Sequence, residues 1–337
     1  MSQLDDEVTR ADRLVRDPRP AFDPDVARAF DVRDDIVTTL SHDDIFELRT
    51  RAITYSDAEL TLDGRFDLTR HVVPGPDGNE LDLVLIRPEG VENPPVIYHV
   101  HGGGLVLGTA VDVLPTMAVL ADRIGAAVAS IEYRLAPEHP YPAAVEDVYA
   151  GLTWLTAHAQ ELGVDAERTI IDGVSAGGGL AAAAALLARD RGGPPLLGQM
   201  LICPMLDDRN DSASGHQMAG HGAWDRTANA TAWAAYIGDL EPDAVPMYAS
   251  PARATDLSGL PPTFIDVGSA ETFRDEDVAY ASRIWAAGGD AELHVWPGGV
   301  HGFDALVPDA VLSRDAREAR ARWLERLLDP RRSNGLR

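Results

Sequence analysis

A serine between two glycines lies in the sequence GVSAG at positions 173–177. The apolar run RTIIDGV before the serine predicts a strand, and the alanine-rich segment LAAAAALLARD after it predicts a helix. A sharp strand-to-helix turn needs small residues two positions before and after the serine, and Gly173 and Gly177 meet that need. Ser175 would then stand exposed at the positive end of the helix, where it could act as a nucleophile. The alternative is an ordinary glycine-rich turn without chemistry.

Three consecutive glycines, 102–104, follow the apolar run PVIYHV at 95–100 and one histidine. Residues without side chains let backbone N–H groups approach a developing negative oxygen to about 3 Å. This loop follows the second predicted strand before the serine, where a loop that stabilises such an oxygen would be needed. We therefore predict an oxyanion hole made by the N–H groups of Gly103, Gly104 and Ala176.

A serine nucleophile needs a histidine base, and His301 in WPGGVHGFD has the best context because it follows the last predicted core strand. The third member must be a carboxylate between the serine and the base, near the end of the penultimate strand. The segment TFIDVGSAETFRDEDVAYA offers Asp266 inside the strand, Glu271 in the loop and Asp275 at the start of the next helix. We predict Glu271, because an orienting carboxylate must rise from the loop to meet the imidazole, with Asp275 as the alternative.

His99 and His101 could instead form a metal-binding pair, since they are two residues apart. Such a site needs further histidine or carboxylate ligands nearby, and the residues that follow are glycines. We therefore predict neither a metal site nor a cofactor. The one cysteine, Cys203, excludes an intrachain disulfide, and its position at the end of a predicted buried strand indicates an inert core thiol.

The elements that must position these residues follow from the hydrophobic pattern. Alternation from Phe66, a turn at 76–79 and the run LDLVLIRP predict a hairpin. Apolar runs that predict strands then alternate with segments of helical spacing. The predicted strands are PVIYHV, AAVASIEY, RTIIDGV, LLGQMLIC, TFIDVG and AELHVW, and the predicted helices include 113–124, 143–162 (ended by Gly163), 275–287 and RDAREARARWLERLL. This order predicts an α/β fold with a mostly parallel sheet, covered by helices on both faces, after an antiparallel start.

Two segments, 1–60 and 205–250, lie outside this alternation of strands and helices. We predict that together they form a helical cap over the carboxyl ends of the strands, where open α/β sheets bind ligands. The catalytic domain would then comprise 61–204 and 251–330, and 331–337 would be a flexible tail.

The 337-residue chain contains 54 acidic and 29 basic residues, which gives a formal net charge of −25. Such a charge repels phosphate backbones and anionic lipids, so we predict no nucleic-acid partner and no membrane partner. Every basic residue is arginine, and without lysine a Walker-type phosphate loop, a Schiff-base enzyme and a Ser-Lys dyad are excluded. The start MSQLDDEVTR has no signal pattern, and no apolar stretch reaches the ~20 residues of a membrane span, so we predict a cytoplasmic protein.

The chain resembles the hormone-sensitive-lipase family of α/β hydrolases, in its bacterial esterase branch, through motifs spread over most of its length. These motifs are HGGG at 101–104, YRLAPEHPYPAA at 133–144, G-x-SAGG at 173–178, PMLDDR at 204–209, FRDEDVAYA at 273–281 and HGF at 301–303. The resemblance implies a Ser-acid-His carboxylesterase with a cap made from the N-terminus and an insert. It also implies no metal, a small-molecule ester as ligand and a preference for short to medium acyl groups.

Two positions depart from the family pattern. Val174 stands where the family usually has aspartate or threonine, and Glu271 stands where it more often has aspartate. Neither change removes a catalytic group, although Glu271 is one methylene longer and requires a slightly retracted loop. The sequence leaves open whether the chain forms a homodimer.

Two other functions stay open at this point. The same site could hydrolyse an amide or a carbamate, because His301 can protonate either leaving group. The same fold could also bind a small molecule without turnover, although an intact Ser175 and His301 argue against that. Several apolar side chains near the predicted site could line a pocket or could equally be core: Leu105, Val106, Met218, Trp224, Trp233, Tyr236 and Phe303.

Overall fold

The computed structural model describes residues 19–33, 35–51, 53–329 and 331. These residues contain one eight-stranded sheet with the strand order β1-β2-β4-β3-β5-β6-β7-β8. The strands are β1 Phe66–Pro74, β2 Glu80–Pro88, β3 Pro95–Val100, β4 Ala127–Ile131, β5 Asp165–Val174, β6 Gly198–Ile202, β7 Thr263–Gly268 and β8 Ala291–Trp296. Strand β2 runs antiparallel to both β1 and β4, and every other neighbouring pair is parallel. The predicted α/β fold with an antiparallel start is confirmed.

Helices cover both faces of this sheet. They are α1 Pro24–Val32, α2 Asp44–Arg49, α3 Asp57–Leu60, α4 Leu114–Ile124, α5 Ala143–Ala157, α6 Ala159–Leu162, α7 Ala176–Arg191, α8 Ala213–Gln217, α9 Arg226–Ile237, α10 Arg274–Ala286, α11 Phe303–Leu306 and α12 Val311–Leu327. Core side chains of α5, α7 and α10 pack on one face, and those of α4 and α12 pack on the other. Among the described residues, none of these helices has both the length and the apolar character needed to cross a bilayer.

The burial pattern explains why the central strands form the interior of the sheet. All six residues of β3 and of β7 are buried, as expected for parallel strands that helices cover on both sides. The edge strand β1 is mostly exposed. Helix α7 presents a run of buried alanines from 181 to 185, and such small side chains let the helix lie close to the strands. The residue at its N-terminus is therefore held at a fixed point above the sheet.

One predicted helix is interrupted. The spacing predicts a continuous helix over 143–162, but the structure has two helices, α5 and α6, that meet at His158. His158 leaves helical geometry with φ −105° and ψ 8°, and its ring nitrogen Nδ1 lies 2.8 Å from the carbonyl oxygen of Trp154. The side chain thus contacts a carbonyl group at the end of α5. The predicted end at Gly163 is confirmed, since this glycine has the left-handed φ of 68°.

The leading segment and the insert contact each other directly. The backbone N–H groups of Trp224 and Asp225 donate to the carbonyl oxygens of Val37 and Thr38, at 3.2 and 2.7 Å. The Thr231 hydroxyl donates to a further carbonyl oxygen of the leading segment, at 2.7 Å. The division into a cap (1–60 with 205–250), a catalytic domain (61–204 with 251–330) and a tail (331–337) stays a prediction. Residues 1–18 of that cap and 332–337 of that tail lie outside the described residues.

Candidate active site

The serine turn has the strained geometry that its glycines predict. Ser175 has a left-handed φ of 59° between strand β5 and helix α7. A Cβ atom placed on Gly173 would lie 2.2 Å from the carbonyl oxygen of Gly177, and one placed on Gly177 would lie 2.1 Å from that of Val100. Only glycine fits at these two positions, because no side-chain carbon can approach a backbone oxygen so closely. The turn therefore fixes the serine hydroxyl at the N-terminus of a 16-residue helix.

The serine, the histidine and the glutamate form one connected chain of hydrogen bonds. The Nε2 atom of His301 lies 2.9 Å from the Oγ atom of Ser175. On the other side of the ring, Nδ1 lies 2.7 Å from Oε2 of Glu271. Three segments that are far apart in the sequence thus converge, as the sequence predicts: the β5–α7 turn, the β7–α10 loop and the β8–α11 loop. The phenyl ring of Phe273 packs edge-on against the imidazole at 5.1 Å and restricts its orientation.

The structure brings Glu271, and not Asp275, to the histidine. The two carboxylate oxygens of Asp275 accept hydrogen bonds from the backbone N–H of Ser214 and from Nε of Arg274, both at 2.8 Å. Asp275 therefore connects helix α10 to the start of helix α8. Asp266 lies within strand β7, as the sequence predicts, and its carboxylate contacts other partners.

The environment of Glu271 opposes its ionisation. Complete burial raises the pKa of this carboxyl group, and the adjacent imidazole of His301 acts in the opposite direction. Its second oxygen, Oε1, is buried and has no hydrogen-bond partner in the described part of the chain. The charge of this carboxylate is therefore compensated mainly by the imidazole, so the two groups are energetically coupled.

The glycine loop at 102–104, which we call the oxyanion loop after its predicted role, contacts the serine turn. A Cβ atom placed on Gly102 would lie 3.3 Å from Cβ of Ser175. Gly103 and Gly104 have φ values of 111° and 62°, at which a residue with a side chain would be strained. In the described ranges, no acceptor is found for the N–H groups of Gly103, Gly104 or Ala176. All three predicted donors are thus available to a ligand oxygen.

The two histidines before this loop have structural partners. The Nδ1 atom of His99 lies 2.5 Å from Asp172, and both side chains are buried. The ring of His101 stacks on Tyr133 at 4.1 Å, and burial lowers the pKa of this histidine to about 3. Across the described residues, neither histidine belongs to a group of three or more candidate metal ligands. Both histidine side chains are therefore held by contacts with neighbouring protein groups.

Cys203 lies closer to the site than the sequence indicates. It is buried and free, and its sulfur, a Glu271 oxygen and a His301 nitrogen all lie within 4.8 Å of one another. Burial, together with the neighbouring carboxylate, raises the pKa of the thiol well above its usual range, so the thiol is protonated and weakly reactive. The prediction of an inert buried thiol agrees with this environment.

A buried ion cluster anchors both ends of the loop that carries His301, and sequence reasoning missed it. Asp266 accepts hydrogen bonds from Nε of Arg320 at 2.8 Å and from the indole N–H of Trp296 at 3.2 Å. Arg320 also pairs with Asp304, three residues after the base. Trp296 ends strand β8 at the start of the loop. A carboxylate inside a buried strand was the one available signal, because such a charge requires a partner.

A cavity of about 550 Å³ lies away from the hydrogen-bonded chain, between helices α4 and α12. Met117, Leu120 and Arg317 are among its lining residues, and the Ser175, His301 and Glu271 side chains do not line it. This cavity is therefore separate from the candidate active site.

A strand–serine–helix turn with a glycine loop beside it, on a mostly parallel sheet, defines a hydrolase of the α/β class. The chain belongs to the α/β-hydrolase fold family, whose profile matches residues 97–305. Esterase LipI of Mycobacterium tuberculosis (strain ATCC 25618 / H37Rv) is 36% identical to it over 292 residues, which cover 85% of this chain and 89% of that protein. Carboxylesterase NlhH of the same strain is 39% identical over 239 residues, which cover 70% and 74%.

The structural comparison gives the same result. A bacterial heroin esterase superimposes with a TM-score of 0.81 at 36% sequence identity, over 91% of this chain and 98% of that one. The predictions of an α/β-hydrolase fold, of a hormone-sensitive-lipase-like family and of a carboxylic ester hydrolase are confirmed by these matches.

Proposed function

We propose that this protein is a carboxylesterase that hydrolyses short- to medium-chain acyl esters through a Ser175–His301–Glu271 triad and an acyl-enzyme. The observation that carries the proposal is the chain of contacts from Ser175 Oγ to His301 Nε2, 2.9 Å, and from His301 Nδ1 to Glu271 Oε2, 2.7 Å. Each distance is within hydrogen-bond reach, as transfer of the serine proton to the base requires.

The first half of the reaction acylates the serine. Ser175 Oγ attacks the ester carbonyl carbon while His301 Nε2 takes the hydroxyl proton. The N–H groups of Gly103, Gly104 and Ala176 then donate to the oxygen that becomes negative. His301 returns the proton to the alcohol oxygen as the C–O bond breaks, so the alcohol leaves in neutral form and the acyl group stays on the serine.

The second half repeats these steps with water as the nucleophile. His301 takes a proton from the water, whose oxygen attacks the acyl carbon, and the same N–H groups stabilise the second oxyanion. His301 then gives its proton to Ser175 Oγ as the acid is released. Glu271 keeps the ring oriented in both halves and stabilises the imidazolium that forms in each.

Trapping the acyl-enzyme tests this proposal. Incubation with a nitrophenyl ester of a short acid should release nitrophenol, and mass spectrometry of the quenched protein should find the acyl group on the peptide that contains Ser175. Replacement of Ser175 with alanine should lower turnover by several orders of magnitude. The matched control is Ser282→Ala, because Ser282 is exposed on helix α10.

Substrate series then define the bond and the acyl length. Nitrophenyl esters from acetate to palmitate should give the highest kcat/KM for the short chains. A matched ester and anilide should be assayed in parallel, because the same triad could cleave an amide. Full activity of Ser175→Ala, or an acyl group found on another residue, would contradict the proposal.

A further inference from the structure

Trp224 has an unusual backbone conformation for a large residue. Its φ is 61°, in the left-handed region that bulky side chains rarely adopt. Two backbone hydrogen bonds hold it there: its N–H donates to the carbonyl oxygen of Val37 at 3.2 Å, and its carbonyl oxygen accepts from the Thr272 hydroxyl at 2.8 Å. Thr272 follows the triad glutamate directly. Strain of this kind persists where surrounding contacts enforce it, often at functional sites.

The indole of Trp224 lies against the oxyanion loop. A Cβ atom placed on Gly104 would lie 2.2 Å from Cη2 and 2.4 Å from Cζ2 of this ring. The same position would be 3.3 Å from Cβ of Ala232 in helix α9. The ring edge therefore occupies the space that any side chain at Gly104 would take, directly beside a proposed oxyanion donor.

The indole N–H of Trp224 is a buried donor without an acceptor in the described residues. The residue is only 8% exposed. The indole N–H of Trp296 donates to Asp266, and that of Trp285 donates to the carbonyl oxygen of Ala291 at 2.9 Å, whereas that of Trp233 is likewise without an acceptor among the described residues. An unpaired buried donor is destabilising unless a ligand supplies an acceptor. The atom Nε1 is two bonds from Cζ2, one of the two ring atoms that a Cβ atom on Gly104 would meet.

We propose that Trp224 is a specificity-determining residue whose indole N–H donates a hydrogen bond to a second oxygen of the ester substrate. The proposal rests on the esterase function inferred above. The ligand class is an ester that carries a neutral acceptor, such as an ether or carbonyl oxygen, close to the bond that is cleaved. A site with an unpaired donor favours a substrate that supplies the acceptor, because the analogue without it leaves the donor buried and unpaired.

Pairs of substrates in which one methylene is exchanged for an ether oxygen test this proposal. Nitrophenyl methoxyacetate and nitrophenyl butyrate differ in that way on the acyl side. The 2-methoxyethyl and butyl esters of one acid differ in that way on the alcohol side. For each pair, the ratio of kcat/KM is divided by the ratio of the rates with hydroxide, which removes the intrinsic effect of the ether oxygen.

The corrected ratio in the wild-type protein should favour the ether by about 3- to 10-fold for one of the two pairs, the range expected for one hydrogen bond. The pair that responds identifies whether the acceptor lies on the acyl or the alcohol side. Trp224→Phe keeps an aromatic ring without the N–H and should bring this ratio to about 1. Trp285→Phe is the matched control, because this half-exposed indole lies on helix α10, and it should leave the ratio unchanged.

A corrected ratio of 1 for both pairs in the wild-type protein would overturn the proposal, even if Trp224→Phe failed to fold. An unchanged ratio in a folded Trp224→Phe variant would also overturn it. Neither result affects the esterase function, which fails only if the wild-type protein hydrolyses no ester or does so without Ser175.

Discussion

Replacing Glu271 with glutamine and with aspartate separates the charge of the triad acid from its reach. Glutamine is isosteric but neutral, so it can accept from His301 Nδ1 without stabilising the imidazolium. The same acid-to-amide exchange in a serine triad costs about 10⁴ in turnover. We expect a loss of this size for Glu271→Gln with little change in KM, because the substrate does not bind to this side chain.

Aspartate keeps the charge but is shorter by one carbon–carbon bond, about 1.5 Å. The 2.7 Å contact between Oε2 and Nδ1 would then widen to roughly 4 Å, beyond hydrogen-bond reach. The shorter side chain also leaves a cavity of about one methylene at a buried position. We expect Glu271→Asp to lose about 10²-fold in kcat, less than the glutamine variant, because the charge remains near the ring.

Stopped-flow and steady-state kinetics with one nitrophenyl ester measure both effects. Asp275→Asn is the control, because Asp275 is the other carboxylate that the sequence offers, and it should keep kcat within about 3-fold. A folded Glu271→Gln variant with more than a tenth of the wild-type kcat would refute the assignment of the acid. A larger loss for Asp275→Asn than for Glu271→Gln would refute it as well.

Three further predictions concern groups around the site. Burial lowers the pKa of His101 to about 3, so below pH ~6.5 the unfolded chain binds a proton that the folded chain does not. The free energy of unfolding should therefore fall as the pH decreases from about 6.5. Urea unfolding of His101→Phe should show this pH slope reduced by up to about 1.4 kcal/mol per pH unit. Burial and neighbouring carboxylates raise the pKa of Asp277, so its ionisation opposes folding as pH rises. The Tm of Asp277→Asn relative to the wild-type protein should therefore increase from pH 4 to pH 8. Asp304→Asn removes an ion pair with Arg320 at one end of the His301 loop and should lower kcat about 10-fold with KM unchanged. Arg322→Gln, which removes an exposed ion pair on the same helix as Arg320, is the control. If both variants lost the same amounts of kcat and stability, a specific role for Asp304 would be excluded.

Local sequence predicts those parts of the site that depend on local geometry. The serine turn follows from Gly173 and Gly177, because the motif is contained in a five-residue segment between a predicted strand and a predicted helix. The predicted oxyanion loop is identified by its three consecutive glycines, 102–104, in the local sequence. The order of strands and helices also follows from periodicity, because each element carries its own pattern of burial. These features need little information from the rest of the chain.

Contacts between side chains that are far apart in the chain could not be predicted from the sequence. Arg320 and Asp266 are 54 residues apart, and nothing in either local segment identifies the other as partner. The position of Trp224 against Gly104 likewise depends on how the insert folds back over the sheet. Such contacts arise where several elements converge, so they require the packed structure. They also include the groups that hold the base and contact the oxyanion loop.

The burial of Glu271 has opposite effects in the resting enzyme and during the reaction. Before proton transfer, burial raises the pKa of the carboxyl group, and the ionised form is held by its contact with a ring nitrogen of His301. In the proposed mechanism the ring takes the serine proton and then carries a full positive charge 2.7 Å from the carboxylate, which is buried. The attraction is then much stronger than in the resting state. If the proposed mechanism holds, the desolvation that costs free energy in folding stabilises the transition state more than the ground state, which is what an increase in kcat requires.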